Sequence, residues 1–529
     1  MNRFVAVAAA AGMVISGLVI SPSAGAAPTS PVAQVPEFTP NPIQWGECDI
    51  PRLVQAGAEC GFVEVPLDYS KPTGELIKLA VSRVTHKGPD DQGPMLVNPG
   101  GPGGSGLIYA IYGDIVPDGG GDAYDWIGFD PRGVGASEPS LSCIPDYDGY
   151  NRPFFVPITP SLERTWLNRS KEYATACGDS DIQAGGLLNH MTTIESAMDM
   201  ESIRKALGEE KINYYGFSYG TYLGQVYGTM FPERFGRVVF DGNVNPNRVW
   251  YQANLDQDVA FERNIKVYFD WLAKYDSVYH LGKTGHEVEA LYYTEQAKLL
   301  REPAGGLIGP DEWADIFLQA AYYVYGWEDI ANAFAGWVHD GDWETLRDLY
   351  GTPPFDDNSH AVYLGVSCTD TQWPTNWNRW RIDNWLTFVK APFETWGNAW
   401  FNAPCAFWPG KASKPLKIDG SKVESLLLIN ETLDSATPYE GALEVRRLFP
   451  NSVLIEGVGG TTHSGSLSGV ECVDSRIVEY LKTGTLPARQ SGDGSDIQCD
   501  PVPQPVPTSV ADQRSATPDR EALAVPIPR

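Results

Sequence analysis

Positive charge is scarce in this chain. Lysine and arginine total 39 against 67 aspartates and glutamates, a formal net charge of −28 over 529 residues. That balance argues against nucleic acid, whose phosphates would repel it, and disfavours anionic membrane surfaces. Most of the charge serves solubility, although a local excess of carboxylates favours cationic substrate ends. No Cys-x-x-Cys occurs among the eight cysteines, and no cysteine has a histidine at ligand spacing. Metal ligation is therefore a poor reading, and neither metal nor cofactor is expected. Histidine is rare, with seven in all. Internal repeats are lacking. Beyond residue 20 no segment is apolar enough to span a bilayer.

The one long apolar run lies at the start. Met1-Asn2-Arg3 is a short basic opening, Phe4 to Ile20 is apolar, and Ala24-Gly25-Ala26 offers small residues for cleavage. This predicts a secretory signal peptide over 1–26 and a secreted chain. Residues 27–40, rich in Pro, Thr and Ser, read as a leader or pro-segment. Eight cysteines in an exported chain imply disulfides. Many connectivities are open; pairing of sequence neighbours gives Cys48–Cys60, Cys143–Cys177, Cys368–Cys405 and Cys472–Cys499.

Gly216-Phe217-Ser218-Tyr219-Gly220 is the most informative stretch. The apolar run Ile212 to Tyr215 precedes it and reads as a buried strand. Thr221 to Tyr227 follows and reads as a helix start. A strand, a sharp turn bearing serine and a helix make a nucleophile elbow. Upstream, the strand-like Met95-Leu96-Val97 runs into Asn98-Pro99-Gly100-Gly101-Pro102-Gly103-Gly104-Ser105-Gly106. Such a loop can hold backbone N–H groups against a developing oxyanion. The candidate donors are Gly101 or Gly100, together with Tyr219 after the serine. A phosphate loop is a weaker reading, because no lysine follows the glycines.

The acid and base follow in order. Asp434 sits just past the apolar run Ser425 to Asn430; Asp241, after Arg237 to Phe240, is a second candidate, and Glu431 a lesser one. His463 lies on a small-residue loop after Ser452 to Ile455. The other histidines, His86, His190, His280, His286, His339 and His360, lack that setting, and most read as surface residues. The order Ser…Asp…His is that of the α/β-hydrolase fold.

Strands alternate with helical segments along the rest of the chain, which predicts a mostly parallel sheet covered by helices on both faces. Phe62 to Leu67, Ile77 to Thr85 and Tyr124 to Phe129 read as strands, and Thr192 to Leu207 as a helix. Every candidate catalytic residue falls on a loop after a strand, where such sheets place their sites. Between about Asn245 and Pro415 helical segments take over, including Val259 to Tyr275, Glu287 to Arg301 and Trp313 to Tyr325. Thirteen of the sixteen tryptophans lie there, and most are expected to pack that region.

With Trp126 to Ser137, Val366 to Asp370 and Cys405 to Pro409, these motifs resemble the secreted bacterial tripeptidyl aminopeptidases of the proline-iminopeptidase-like α/β-hydrolase family. The resemblance runs from about Trp45 to Cys499. It implies a helical cap inserted in the core: core over 41–244, cap over 245–415 and core again over 416–499. The Pro- and Asp-rich residues 500–529 read by composition as a disordered or removed tail. It implies a Ser218, His463, Asp434 triad with Gly101 and Tyr219 as oxyanion donors. It also implies a monomer acting on peptides with a free N-terminus, with an esterase or a non-catalytic binding protein as rivals. A substrate ammonium buried under a cap needs a carboxylate partner; Glu262, Asp258 and Asp370 are candidates. Arg132 reads as a loop brace.

Overall fold

The computed structural model describes residues 37–507, all within one unit of the chain, Pro36–Arg529. The expected signal peptide, most of the leader and residues 508–529 lie outside the described residues. Ten strands form one sheet: β1 (Gly46–Glu47), β2 (Glu59–Pro66), β3 (Leu76–Val84), β4 (Pro94–Asn98), β5 (Asp125–Phe129), β6 (Ile212–Phe217), β7 (Phe235–Asp241), β8 (Leu426–Glu431), β9 (Ser452–Gly457) and β10 (Ile497–Cys499). Their spatial order is β1-β2-β3-β5-β4-β6-β7-β8-β9-β10. The pairings from β5 across to β10 are parallel, and those from β1 to β5 antiparallel.

The residue pattern explains the difference. Every residue of β4, β6, β8 and β9 is buried, as strands inside a covered parallel sheet must be. β2 alternates instead, with Phe62 exposed and Val63 buried. The helix Thr193–Leu207 opens with a capping box between Thr192 and Glu195 and stops at Gly208 in the left-handed region. It packs on the helix Tyr219–Met230, which lies against β6 and β7.

Between β7 and β8 the chain forms nine α-helices and, among the described residues, no strand. Trp313, Trp327, Trp373, Trp380, Trp396 and Trp400 are fully buried in this insert. Trp166 joins them from outside it, stacked on Trp400 at 5.6 Å. Trp166 belongs to the helix Pro160–Gln183, which the pattern reading missed because it is long but only weakly amphipathic. Its signals were local: Thr159 caps Leu162 N, and Pro160 opens the first turn.

Four disulfides join Cys48–Cys60, Cys143–Cys177, Cys368–Cys405 and Cys472–Cys499. The stretch from Asp500 onward was read as a disordered tail. Within it, residues 500–507 are described, and they pack: Val502 is buried, and Trp271 Nε1 donates to Pro505 O at 2.8 Å. Prolines suggested disorder there, but an apolar side chain between them finds a cleft.

Candidate active site

Ser218 sits between the end of β6 and the helix Tyr219–Met230 with φ 53° and ψ −124°. A side chain other than glycine seldom holds a positive φ, and the strain persists only where surroundings fix it. Here Ser218 N donates to Asp241 O at 3.0 Å, and Thr221 Oγ1 donates to Ser218 O at 2.7 Å. The flanking glycines are steric necessities. A Cβ on Gly216 would stand 2.7 Å from Gly220 O, and one on Gly220 would stand 2.6 Å from Asn98 O.

The glycine-rich loop after β4 presses on this elbow. A Cβ on Gly100 would stand 2.6 Å from Phe217 O and 3.0 Å from Tyr219 N. The Gly100 amide is engaged within the loop, donating to Asn98 Oδ1 at 3.0 Å. Gly101 and Ser218 line one cavity. Asp130 braces the far end of the loop, accepting from Ser105 Oγ at 2.7 Å and Gly106 N at 2.8 Å.

Asp434 and His463, on loops after β8 and β9, meet. His463 Nδ1 lies 2.8 Å from Asp434 Oδ2, and both residues are buried. Thr437 holds the carboxylate from the other side, its N–H to Oδ1 at 2.9 Å and its hydroxyl to Oδ2 at 2.8 Å. His463 opens on the same cavity as Ser218.

The rival acids are occupied elsewhere. Asp241 accepts Ser466 N at 2.8 Å, and burial pushes its carboxyl up to about 6. Glu431 accepts Thr462 N at 2.7 Å and Val502 N at 2.6 Å, with burial pushing it to about 8. Arg132 makes a buried bidentate pair with Asp199, at 2.8 and 2.7 Å, and donates to Leu67 O and His190 O; it braces loops.

The insert is sewn onto both loops. Arg263 Nη2 donates to Leu433 O at 2.5 Å, Gln257 Nε2 to Ala436 O at 2.6 Å, and Ser435 Oγ to Ala321 O at 2.7 Å. Asn264 Nδ2 reaches both Ala321 O and Thr461 O. His463 N itself donates to Tyr322 O at 2.9 Å.

The cavity beside Ser218 is walled by Phe155, Trp166, Tyr322, Trp400 and Phe401, and by the carboxylates Asp148, Asp315 and Glu394. A wider cavity of about 650 Å³ shares Gly101, Ser218, Asn254 and Gln257 with it and adds Arg248, Arg263 and Lys390. Glu394 is buried, and its Oε2 has no hydrogen-bond partner among the described residues. Burial, with the nearby Asp315 and Asp258 carboxylates, pushes it well above the usual range. Arg152 reaches the same wall, donating to Asp315 Oδ2 at 2.5 Å.

The three carboxylates expected to meet a substrate amine line neither of these cavities. Glu262 pairs with Lys266 at 2.7 Å and accepts Phe393 N. Asp258 accepts Asn398 Nδ2 at 2.8 Å. Asp370 accepts the Thr193 amide and hydroxyl, both at 2.6 Å, and Trp250 Nε1. Each has a structural duty because the segment carrying it packs inward on the insert or the elbow. Glu394 carries no motif and was missed; a lone glutamate ahead of Trp396 and Trp400 was the only signal. His360 also departs from expectation: it is buried, within 3.1 Å of Asp148 and stacked on Phe401 at 4.2 Å, not at the surface. Among the described residues no cluster of histidine, cysteine and acids could hold a metal ion.

A strained serine elbow on a mostly parallel sheet, sharing a cavity with a buried histidine, defines a serine hydrolase of the α/β-hydrolase fold. The model of that fold matches residues 93–299, and the model described as TAP-like protein matches 391–499. A tripeptidyl aminopeptidase of Streptomyces lividans is 41% identical over 488 residues, covering 88% of each chain. Serine protease Hip1 of Mycobacterium tuberculosis is 28% identical, covering 84% of this chain and 90% of the relative. Carboxylesterase B of the same organism is 29% identical, over 89% and 93%. The chain belongs to the tripeptidyl aminopeptidase family of α/β hydrolases, and it is a serine peptidase.

Proposed function

We propose that this protein is a secreted exopeptidase releasing short peptides, tripeptides on the precedent of its Streptomyces relative, from free N-termini. Ser218 attacks the scissile carbonyl. His463 takes its proton and returns it to the departing amine, while Asp434 holds the ring's tautomer. The N–H groups of Gly101 and Tyr219 receive the oxyanion. Water then releases the acyl group from Ser218.

The observation that carries the exopeptidase reading is the acidic wall of the cavity. A peptide's terminal ammonium, stripped of water among aromatic rings, must find a carboxylate. Glu394 offers an oxygen without a hydrogen-bond partner among the described residues, beside Asp315 in the cavity onto which Ser218 opens. An arriving ammonium would favour the ionised form of Glu394, which burial otherwise disfavours, whereas the backbone of an internal segment brings no such cation. Four disulfides support export, and among the described residues no helix is long and apolar enough to cross a membrane.

The test compares tripeptidyl anilides with free and acetylated N-termini. The free form is expected to be cleaved at least about 10²-fold faster, the order of leaving a buried charge unanswered. Equal rates would end the exopeptidase reading. The carboxylesterase relative gives an esterase reading its support; faster turnover of simple aryl esters than of peptidyl anilides would favour it.

A further inference from the structure

Glu431 is a buried acid next to the proposed triad that the reaction above does not use. Its side chain leaves the end of β8 and lies flat against the loop that bears His463. A Cβ on Gly460 would stand 2.2 Å from its Oε2. Each carboxyl oxygen accepts one backbone N–H: Oε2 from Thr462, the residue before His463, and Oε1 from Val502. No ion pair among the described residues includes Glu431, and its electrostatic neighbours are the acids Asp434 and Asp241. Packing alone would favour a neutral side chain here.

The second donor is equally specific. Val502 belongs to the segment after β10, tethered at one end by the Cys472–Cys499 disulfide and further on by Trp271, which donates to Pro505 O. The Val502 side chain covers Gly465, where a Cβ would stand 2.8 Å from its Cγ2. The loop from Val458 to Gly465 has no helix or strand of its own; the backbone bonds Val458 N to Cys499 O and Leu433 N to Gly460 O hold its first half, and side chains and the insert hold the rest.

We propose that Glu431 is a positioning residue that ties the histidine loop to the C-terminal segment, making the Val502 N–H part of what sets the His463 ring. The inference rests on His463 being the base. Glu431→Gln keeps the shape and turns one oxygen into an amide that faces an N–H. Val502→Pro, between Pro501 and Pro503, deletes the donor together with the side chain over Gly465, and Val502→Ala removes that side chain's cover but keeps the donor, so the pair isolates the N–H.

In the full-length protein, kcat on a tripeptidyl anilide and the rate of fluorophosphonate labelling of Ser218 are measured. E431Q and V502P are expected to lower both about 10- to 100-fold, the size associated with groups that orient a ligand through its neighbour. KM is expected to stay within about twofold, and the double variant to lose no more than the worse single one, as members of one network do. V502A is expected to behave as the parent. Parental kcat in E431Q, losses that multiply in the double variant, or a V502A defect equal to that of V502P would overturn the proposal. Labelling that ignores Ser218→Ala would instead overturn the reading of the triad, so the two failures are distinguishable.

Discussion

The core and the insert solve their chemical problems by opposite means. In the core, the candidate groups are set by backbone geometry: a serine at positive φ, N–H groups beside a glycine pair, an imidazole on a loop of small residues. In the insert, the equivalent work falls to buried and half-buried side chains far from any local pattern. Asp311, Glu312, Asp315 and Glu394 share one region with Arg152, a residue of the core segment. Backbone geometry leaves glycine and turn signatures; side-chain convergence leaves none.

The largest effect that would sharpen this contrast lies in the core. Ser218→Ala is expected to lower kcat by roughly 10⁶-fold and Asp434→Asn by about 10⁴-fold, whereas Asp241→Asn, outside hydrogen-bonding distance of the ring, is expected to cost less than about tenfold. Initial rates on one anilide check all three, and an Asp241 variant as damaged as the Asp434 one would overturn the assignment of the acid.

In the insert, Glu394→Gln is expected to lower kcat/KM for free N-termini by about 10²-fold while leaving acetylated substrate unchanged. Asp258→Asn, matched in burial but outside the cavity, is expected to leave that preference intact. Should the two variants lose selectivity alike, the amine would have to be placed elsewhere.

The smallest effect is on stability. Burial raises Asp241, Asp315 and Asp370 to about 6, and Asp258 and Glu431 to about 8. Between about pH 4 and 8 the folded chain therefore holds protons that the unfolded chain has lost, so stability falls as pH rises through that window. The expected result is a Tm that declines from pH 5 to 8 at constant ionic strength; a rise would mean that these acids are already ionised in the folded state at the low end of that window.

This contrast also explains what the sequence disclosed. The strand-turn-helix around Ser218 and the apolar runs of β4, β6, β8 and β9 were legible, because burial on both faces forces continuous apolar strands. Asp434 and His463 could be placed on loops after strands, while their 2.8 Å approach needed the folded sheet. Glu394 was illegible: its meaning comes from Asp315, Trp166 and Ser218, all distant in the chain. The duties of Asp258, Asp370 and Glu262 were hidden for the same reason. Val502 was misread because its prolines suggested a free tail, and only the cleft beside Gly465 gives it a place.

The stitches between insert and core carry a last consequence. A roof that hinged upward would have to give up the contacts of Gln257, Arg263, Asn264 and Ser435, and with them the carbonyl of Tyr322 that holds the amide of His463. Lifting the insert would therefore unseat the loop that carries His463.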